Sequence, residues 1–175
     1  MLSAITPWYS IDIRRKRASG KDLGENEMDM TQEFPVLVYG TLRPTGGNYE
    51  YFLDGSTYSE ETVTLSGFTM YGNSGCPFLA LGDRTITATL VYIDSYRYAT
   101  VMKQLDSLES FRGEGDPSNG YERILHTFKH DGREVQAWIY VASERILPNI
   151  IRTTPVLESG DWIAHVNEER VSYAW

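Results

Sequence analysis

The sequence predicts an α+β fold, namely a small mixed β-barrel or roll with flanking helices. About five or six segments have the composition or alternation of β-strands, whereas one long segment has the periodicity of an amphipathic helix. Strands and helices do not alternate along the chain, which disfavours a doubly wound parallel sheet. A length of 175 residues suggests one domain with a core large enough to fold alone.

The first part of the chain differs in composition from the rest. Residues 19–32 are polar and show no sustained hydrophobic period. We therefore interpret residues 1–33 as a poorly ordered N-terminal extension and residues 34–175 as the folded domain. The basic cluster at residues 14–17 is interpreted as part of a solvated tail, with a docking or nuclear-import signal as the alternative.

The domain begins with a short strand. Residues 36–39 form a continuous apolar run, which is typical of a strand buried on both faces, and the run stops at Gly40. A loop continues to Gly47. Residues 48–53 are then expected to form one or two helical turns, with Asn48 as the cap.

Two further strands follow in the sequence. Residues 61–71 are rich in Thr, Val, Phe and Tyr, and this composition favours a strand. Apolar residues alternate with threonines in residues 84–93, which is the pattern of a half-buried strand. The segment Asn73-Ser74-Gly75 between them has the composition of a turn.

The strongest helical pattern lies in residues 95–109. Val101, Leu105 and Leu108 recur at helical spacing and mark a buried stripe, and Ser95 is expected to cap the helix. The next segment, residues 111–120, is a polar loop with several glycines. It is long enough to close over a site as a lid.

A hairpin and a tail complete the predicted domain. Residues 121–129 and 133–141 form the two strands of the hairpin, and the Asp-Gly sequence between them readily adopts the positive φ angles of a tight turn. The tail contains prolines, and a short helix is expected from Asp161.

Composition excludes several classes of function. The net charge is −8, so we expect no nucleic-acid binding, because phosphate contacts need a basic surface. No apolar run approaches the ~20 residues that span a bilayer, and the N-terminus does not have the pattern of a signal peptide. We therefore expect a cytoplasmic protein without a membrane partner, either a monomer or a weak dimer.

The chain has a single cysteine, Cys76, so an intrachain disulfide is excluded and a reducing compartment fits. We expect it to be a small buried hydrophobe, with a catalytic nucleophile as the less favoured alternative. The three histidines do not have metal-ligand spacing, and no nucleophile elbow, P-loop or dinucleotide motif is present. We expect neither a metal nor a cofactor.

The first candidate site is the turn from Tyr39 to Arg43. The buried strand ends there at Gly40, and glycine lets a backbone approach a ligand closely. Successive N–H groups in such a turn can hold an anion such as a carboxylate. A tight structural turn is the alternative interpretation.

The second candidate is Glu109. It falls beside the buried stripe, at the carboxyl end of the predicted helix. The helix dipole disfavours a negative charge at that end, and burial raises the pKa of a carboxyl group. A carboxylate destabilised in this way is a candidate general base. Asp106, near the same edge, is either a surface acid or a second site acid.

Five short motifs in this order resemble those of the γ-glutamylcyclotransferase-like (AIG2-like) family. They are Tyr39-Gly40-Thr41-Leu42-Arg43, Gly75-Cys76-Pro77-Phe78-Leu79, Leu105-Asp106-x-x-Glu109 with Tyr121-x-Arg123, Ala137-Trp138-Ile139-Tyr140-Val141 and Ser159-Gly160-Asp161-Trp162. The pattern is most similar to the branch that acts on γ-glutamylamines. The resemblance implies the same small mixed β-barrel with flanking helices.

The resemblance also implies a reaction. Members of the family cleave γ-glutamyl amides by ring closure and release 5-oxoproline and a free amine. The N–H groups of Gly40, Thr41 and Leu42 would hold the substrate α-carboxylate, and Glu109 would be the acid and base.

Four further residues complete the site that the resemblance implies for a small γ-glutamyl substrate. They are Tyr39, Arg43, Tyr121 and Tyr140. Sheet packing is the alternative for Tyr121 and Tyr140, whereas Arg43 lies either at the rim or against an acid outside. A non-catalytic binding or regulatory module with the same fold is the alternative function. Cleavage of another kind of amide is a third possibility.

Overall fold

The structure is a computed structural model that describes residues 32–72 and 75–172. Nearly all of the predicted extension, residues 1–33, and the turn residues Asn73 and Ser74 lie outside this range, so those predictions stay predictions. The described elements, in chain order, are β1 (Val36–Val38), α1 (Tyr49–Phe52), β2 (Thr57–Gly72), β3 (Pro77–Ile93), α2 (Ser95–Leu108), β4 (Tyr121–His130), β5 (Arg133–Ala142), α3 (Leu147–Thr153) and α4 (Trp162–Ser172).

The strands form one five-stranded mixed sheet in the order β2-β3-β1-β5-β4. Strand β1 is central, antiparallel to β3 and parallel to β5. Its residues are at most 3% exposed, and they alternate between two core clusters. Leu37 packs in the cluster that includes Trp162, whereas Val36 and Val38 pack in the cluster that includes α2. The prediction of a strand buried on both faces is confirmed.

The sheet curls until side chains of its two edge strands meet. The rings of Phe68 on β2 and His126 on β4 lie 4.9 Å apart, edge to face. Nε2 of His130, at the end of β4, lies 2.8 Å from a carboxylate oxygen of Glu61 on β2. The predicted α+β fold, a small mixed barrel or roll with flanking helices, is confirmed.

Strand β3 is longer than the sequence predicts, because it begins at Pro77. The register between β2 and β3 shifts near Phe68, which pairs with both Leu81 and Arg84. At this irregularity Gly67 adopts a φ of +93°. Gly82 lies so close to Thr69 that a Cβ atom would collide with the threonine side chain. The hairpin therefore bends here, and its outer half reaches the end of the sheet where β1 terminates.

Helix α2 and the β4–β5 hairpin agree with the prediction. The helix buries Val101, Met102 and Leu105, but Asp94 precedes it in place of the expected Ser95 cap, and no side-chain capping bond forms. The hairpin turn has positive φ at Asp131 and Gly132, as an Asp-Gly turn requires. No helix in the described part of the chain is long and apolar enough to cross a membrane.

Candidate active site

A pocket of about 270 Å³ lies where β1 ends and where four other parts of the chain converge. Its walls come from β1 and the following turn, the tip of the β2–β3 hairpin, the end of α2, the start of β4, and β5. The lining residues are Leu37, Val38, Tyr39, Gly40, Thr41, Leu42, Asn48, Cys76, Pro77, Leu108, Glu109, Tyr121 and Tyr140. The structure thus brings together every predicted site residue except Arg43.

The turn after β1 is held by its own backbone and by Asn48. The N–H of Arg43 donates to the carbonyl of Gly40 at 3.0 Å, and the N–H of Asn48 donates to the carbonyl of Thr41 at 2.9 Å. The Asn48 side chain also donates to Thr41 Oγ1 at 2.9 Å. Within the described residues, the N–H groups of Thr41 and Leu42 have no acceptor. They are therefore available to an anion in the pocket.

Gly40 is required by close packing. A Cβ atom at this position would lie 2.5 Å from Cγ and 2.9 Å from Cδ of Pro77. Because a proline ring cannot rotate out of the way, any side chain here would push the turn and the hairpin tip apart. Gly40 and Pro77 thus fix the distance between two walls of the pocket.

Glu109 is the residue immediately after α2. Its N–H donates to the carbonyl of Leu105 at 2.9 Å, and its own carbonyl accepts from the N–H of Tyr121 at 3.2 Å. Gly120 lies close to that carbonyl, since an added Cβ would be 3.2 Å from the oxygen. The end of the helix is therefore joined by its backbone to the start of β4, and two lining residues are held beside each other.

Burial raises the pKa of the Glu109 carboxyl from its ordinary value of 4.5 to about 7. Desolvation is the cause, and no cation in the described part of the chain offsets it. Burial and then the charge of Glu109 raise the pKa values of the Tyr121 hydroxyl and the Cys76 thiol. The acid, the phenol and the thiol therefore share one electrostatic environment. Among these groups, the carboxyl is the one that titrates near neutral pH.

The tyrosines are oriented by hydrogen bonds and stacking. The Tyr39 hydroxyl donates to the carbonyl of Tyr140 at 2.9 Å, and the Tyr140 hydroxyl donates to Asp106 Oδ1 at 2.7 Å. The ring of Tyr121 is parallel to that of Phe78, with centroids 6.3 Å apart. The rings of Tyr39, Tyr121 and Tyr140 line the pocket. The hydroxyls of Tyr39 and Tyr140 already donate their hydrogen bonds to acceptors within the protein.

The position of Arg43 corrects the sequence-based site. Its side chain is turned away from the pocket. Its Nη1 lies 2.8 Å from Asp161 Oδ1, and its Nε donates to Thr89 Oγ1 at 3.2 Å. Asp161 also accepts from the N–H of Ala164 and so caps the start of α4. Arg43 thus links the turn after β1 to α4. This agrees with the alternative prediction that Arg43 pairs with an acid outside the pocket.

Asp106 does not line the pocket either. Its two carboxylate oxygens accept hydrogen bonds from Tyr140 and, at 3.0 Å, from Arg123 Nη1. The Arg123 guanidinium lies between two rings, 5.0 Å from the centroid of Phe111 and 4.9 Å from that of Trp138. Asp106 therefore joins α2 to the sheet.

The loop of residues 111–120 is not positioned as a lid, because none of its residues lines the pocket. Its buried centre is Asn119, whose side chain donates to the carbonyl of Gly113 and accepts from the N–H of Arg112, both at 2.8 Å. Ser143 Oγ donates to the Asn119 carbonyl. The loop is thus fastened to the end of β5.

Six lining residues were not predicted as site residues, namely Leu37, Val38, Asn48, Cys76, Pro77 and Leu108. Asn48 was expected only to cap a helix, but its side chain reaches Thr41 and makes no capping bond. Pro77 is part of the family motif at residues 75–79, but no contact with the site was predicted for it. Cys76 was expected to be buried, yet it is exposed and lines the pocket. Its raised pKa keeps the thiol protonated, which disfavours a nucleophilic role.

Comparisons with known proteins agree with this geometry. The family model for γ-glutamyl cyclotransferase, AIG2-like, matches residues 36–164. The chain is 26% identical over 106 residues to the γ-L-glutamyl-butirosin B γ-glutamyl cyclotransferase of Niallia circulans; the match covers 61% of this chain and 65% of that relative's length.

A solved structure shows similarity in fold. Uncharacterized protein PH0828 from Pyrococcus horikoshii superposes with a TM-score of 0.54 at 16% identity, covering 80% of this chain and 95% of that one. Protein ytfP from Escherichia coli has a TM-score of 0.47 at 24% identity, covering 74% of this chain and 96% of that one. From the family match over most of the described domain, we conclude that the chain belongs to the γ-glutamyl cyclotransferase, AIG2-like family.

Proposed function

We propose that this protein is a γ-glutamyl cyclotransferase, which releases 5-oxoproline and a free amine from a γ-glutamyl amide. Membership of the family and the relative from Niallia circulans support this class of activity. One observation carries the proposal at the site. Glu109, with a pKa of about 7, shares a small pocket with a turn whose N–H groups are free to bind an anion.

The turn binds the substrate. The α-carboxylate of the γ-glutamyl group accepts hydrogen bonds from the N–H groups of Gly40, Thr41 and Leu42, because an anion is the ligand that such a concave backbone favours. The rings of Tyr39, Tyr121 and Tyr140 enclose the carbon chain of the substrate. This arrangement would leave the γ-carbonyl and the α-amine facing Glu109.

The reaction needs no enzyme nucleophile. The substrate's own α-nitrogen attacks the γ-carbon, a new carbon–nitrogen bond closes the five-membered ring, and the bond to the leaving amine breaks. Well-oriented intramolecular reactions reach effective molarities of ~10⁵–10⁸ M, so ring closure itself supplies much of the acceleration. What the protein must supply is orientation and proton transfer.

Glu109 transfers the protons. The α-ammonium carries three protons and the lactam nitrogen keeps one, so two must leave it. The leaving nitrogen begins with one proton and departs as an ammonium with three. A carboxyl with a pKa of about 7 is ionised often enough to accept each proton and acidic enough to donate it again. No covalent enzyme intermediate forms and no cofactor takes part.

The other sequence-based expectations form part of the same proposal. The partner is a small-molecule substrate and not a nucleic acid or a membrane, and the enzyme acts in the cytoplasm as a monomer or weak dimer. The alternative is a binding or regulatory module that uses the same pocket without turnover. The raised pKa of the carboxyl in the pocket favours the enzyme, because proton transfer needs a group that titrates near neutral pH, whereas binding of the α-ammonium alone would be served better by a carboxylate that stays ionised.

The test is 5-oxoproline release from a panel of γ-glutamyl amines, γ-glutamyl dipeptides and glutathione, with wild-type protein and Glu109→Gln. We expect turnover of at least one compound and its loss in the variant, while binding measured by calorimetry persists. Glu114→Gln is a matched control, since Glu114 is an exposed acid in the adjacent loop and does not line the pocket. Binding without 5-oxoproline from any compound would favour the regulatory module. An equal rate in Glu109→Gln would refute the role of Glu109.

A further inference from the structure

We propose that Asn48 is a positioning residue for the proposed reaction, and that it acts by directing the hydroxyl proton of Thr41 toward the substrate α-carboxylate. The inference rests on the proposed function and deepens it, because it adds a side-chain donor to the N–H groups of the turn. It comes from the direction of one hydrogen bond between two residues that line the pocket.

The bond between the two side chains leaves one proton unused. Asn48 Nδ2 donates to Thr41 Oγ1 at 2.9 Å. An amide nitrogen carries protons and does not accept, so the threonine oxygen is the acceptor. A hydroxyl group has a single proton, and that of Thr41 is therefore left for another partner. Among the residues that the structure describes, none accepts this proton.

The backbone also holds Asn48 against Thr41. The N–H of Asn48 donates to the carbonyl of Thr41 at 2.9 Å, and the carbonyl of Asn48 accepts from the N–H of Phe52 at 3.3 Å. Gly46 packs closely against the same Thr41 carbonyl, since an added Cβ would lie 2.3 Å from the oxygen. The Asn48 side chain makes no capping bond to α1. One backbone contact and one side-chain contact thus fix the two residues relative to each other.

The Thr41 hydroxyl belongs to the same residue as one of the N–H groups that the turn offers to an anion. The N–H groups of Thr41 and Leu42 have no acceptor within the described residues, and both residues line the pocket with Asn48. A carboxylate has two oxygens, which together accept about four hydrogen bonds. Because the N–H and the hydroxyl of one residue lie close together, a carboxylate bound to the first is within reach of the second. The substrate α-carboxylate is thus an acceptor for the unused proton.

The effect on substrate binding has two parts. A hydrogen bond to a charged group changes affinity by roughly ten- to a hundredfold. A hydroxyl proton has three staggered positions, so a proton that no neighbour directs loses up to about threefold in affinity. We therefore expect the larger factor from the Thr41 hydroxyl and the smaller one from Asn48, acting through that hydroxyl. The charge of the α-carboxylate does not change during ring closure, so both factors should appear in KM and not in kcat.

Steady-state kinetics of 5-oxoproline release test the inference, with the γ-glutamyl compound that the wild-type protein turns over best. Thr41→Val keeps the shape of the side chain but lacks the hydroxyl, and we expect it to raise KM at least about tenfold with kcat within about threefold. Thr41→Ser keeps the hydroxyl and should hold KM within about threefold of wild type. An unchanged KM in Thr41→Val would refute the inference and leave the proposed function intact. That result is also expected if the amide oxygen of Asn48 faced Thr41 and took its proton.

A double-mutant cycle shows whether Asn48 acts through Thr41. We expect Asn48→Ala to raise KM about threefold on its own and to have no effect in the Thr41→Val background. No effect in either background, or an equal effect in both, would contradict the inference. Thr41→Ala takes the place of Thr41→Val if the valine variant does not fold. No 5-oxoproline from any γ-glutamyl compound with wild-type protein would overturn the proposed function and this inference with it.

Discussion

Replacing Glu109 by glutamine should change stability in a way that depends on pH. The folded protein holds the pKa of this carboxyl at about 7, against an ordinary value of 4.5 that we take for the unfolded chain. One pKa unit corresponds to about 1.4 kcal/mol. The ionised, buried carboxylate therefore destabilises the folded protein by about 3 kcal/mol above pH 7.

The sign follows from linkage. Because the folded pKa is raised, the stabilising contribution of the protonated carboxyl is complete below pH 4.5 and is lost as the pH rises through about 7. Glutamine does not titrate and has nearly the same shape. We therefore expect Glu109→Gln to gain about 2 kcal/mol in the free energy of unfolding, relative to wild type, between pH 5.5 and pH 8.5.

Urea unfolding of both proteins at the two pH values measures this difference, and the pH dependence of all other groups cancels between them. Glu114→Gln, an exposed acid in the adjacent loop, is the control. If the stability difference between wild type and Glu109→Gln were the same at both pH values, Glu109 would not be desolvated in the folded state. The assignment of Glu109 as a base near neutral pH would then lose its physical basis.

Three further outcomes follow from the same geometry. First, kcat/KM should rise about tenfold per pH unit up to about pH 7 and then level off, since Glu109 accepts a proton only when ionised; a profile without a break near 7 would contradict this. Second, Gly40→Ala should lose about 1–3 kcal/mol of stability and weaken substrate binding, because the added Cβ would collide with the ring of Pro77. The control Gly47→Ala has open space around the added Cβ, so we expect almost no change in stability or KM. Urea unfolding and steady-state kinetics measure the two effects. Third, a double-mutant cycle of Arg43→Met and Asp161→Asn should give a coupling energy of about 1–2 kcal/mol in the free energy of unfolding. Additive effects of the two substitutions would argue against the ion pair between Arg43 and Asp161.

Local signals in the sequence predicted much of the fold. The Asp131-Gly132 turn set the register of the β4–β5 hairpin, and the apolar spacing of α2 gave that helix nearly its observed length. The first half of β3 was missed because Pro77 and Gly82 disfavour a strand locally, while pairing with β2 outweighs this preference. Helix α3 was missed because Pro148 was interpreted as part of an irregular tail, although proline is favourable in the first turn of a helix.

The candidate site was predicted only in part, namely where local signals in the sequence mark its residues. Glu109 and the turn after β1 carry local signals, namely an acid at a helix end and a glycine after a buried strand. The orientation of Arg43 depends on Asp161, which is far away in the sequence, so no local pattern contains it. The raised pKa of Glu109 likewise depends on walls contributed by separate segments. Arg43, whose orientation depends on a distant partner, was thus the site residue that sequence reasoning misplaced.

The central position of the very short strand β1 has a consequence for the order of folding. The β2–β3 and β4–β5 hairpins pair neighbouring segments, whereas β1 joins Val91 on one side and Trp138 on the other, both distant along the chain. Contacts of large sequence separation form late, because loop-closure entropy must first be overcome. We therefore expect the two hairpins to gain hydrogen-exchange protection before β1 does. The ligand-binding turn, which begins where β1 ends, would then be among the last parts of the protein to acquire its native shape.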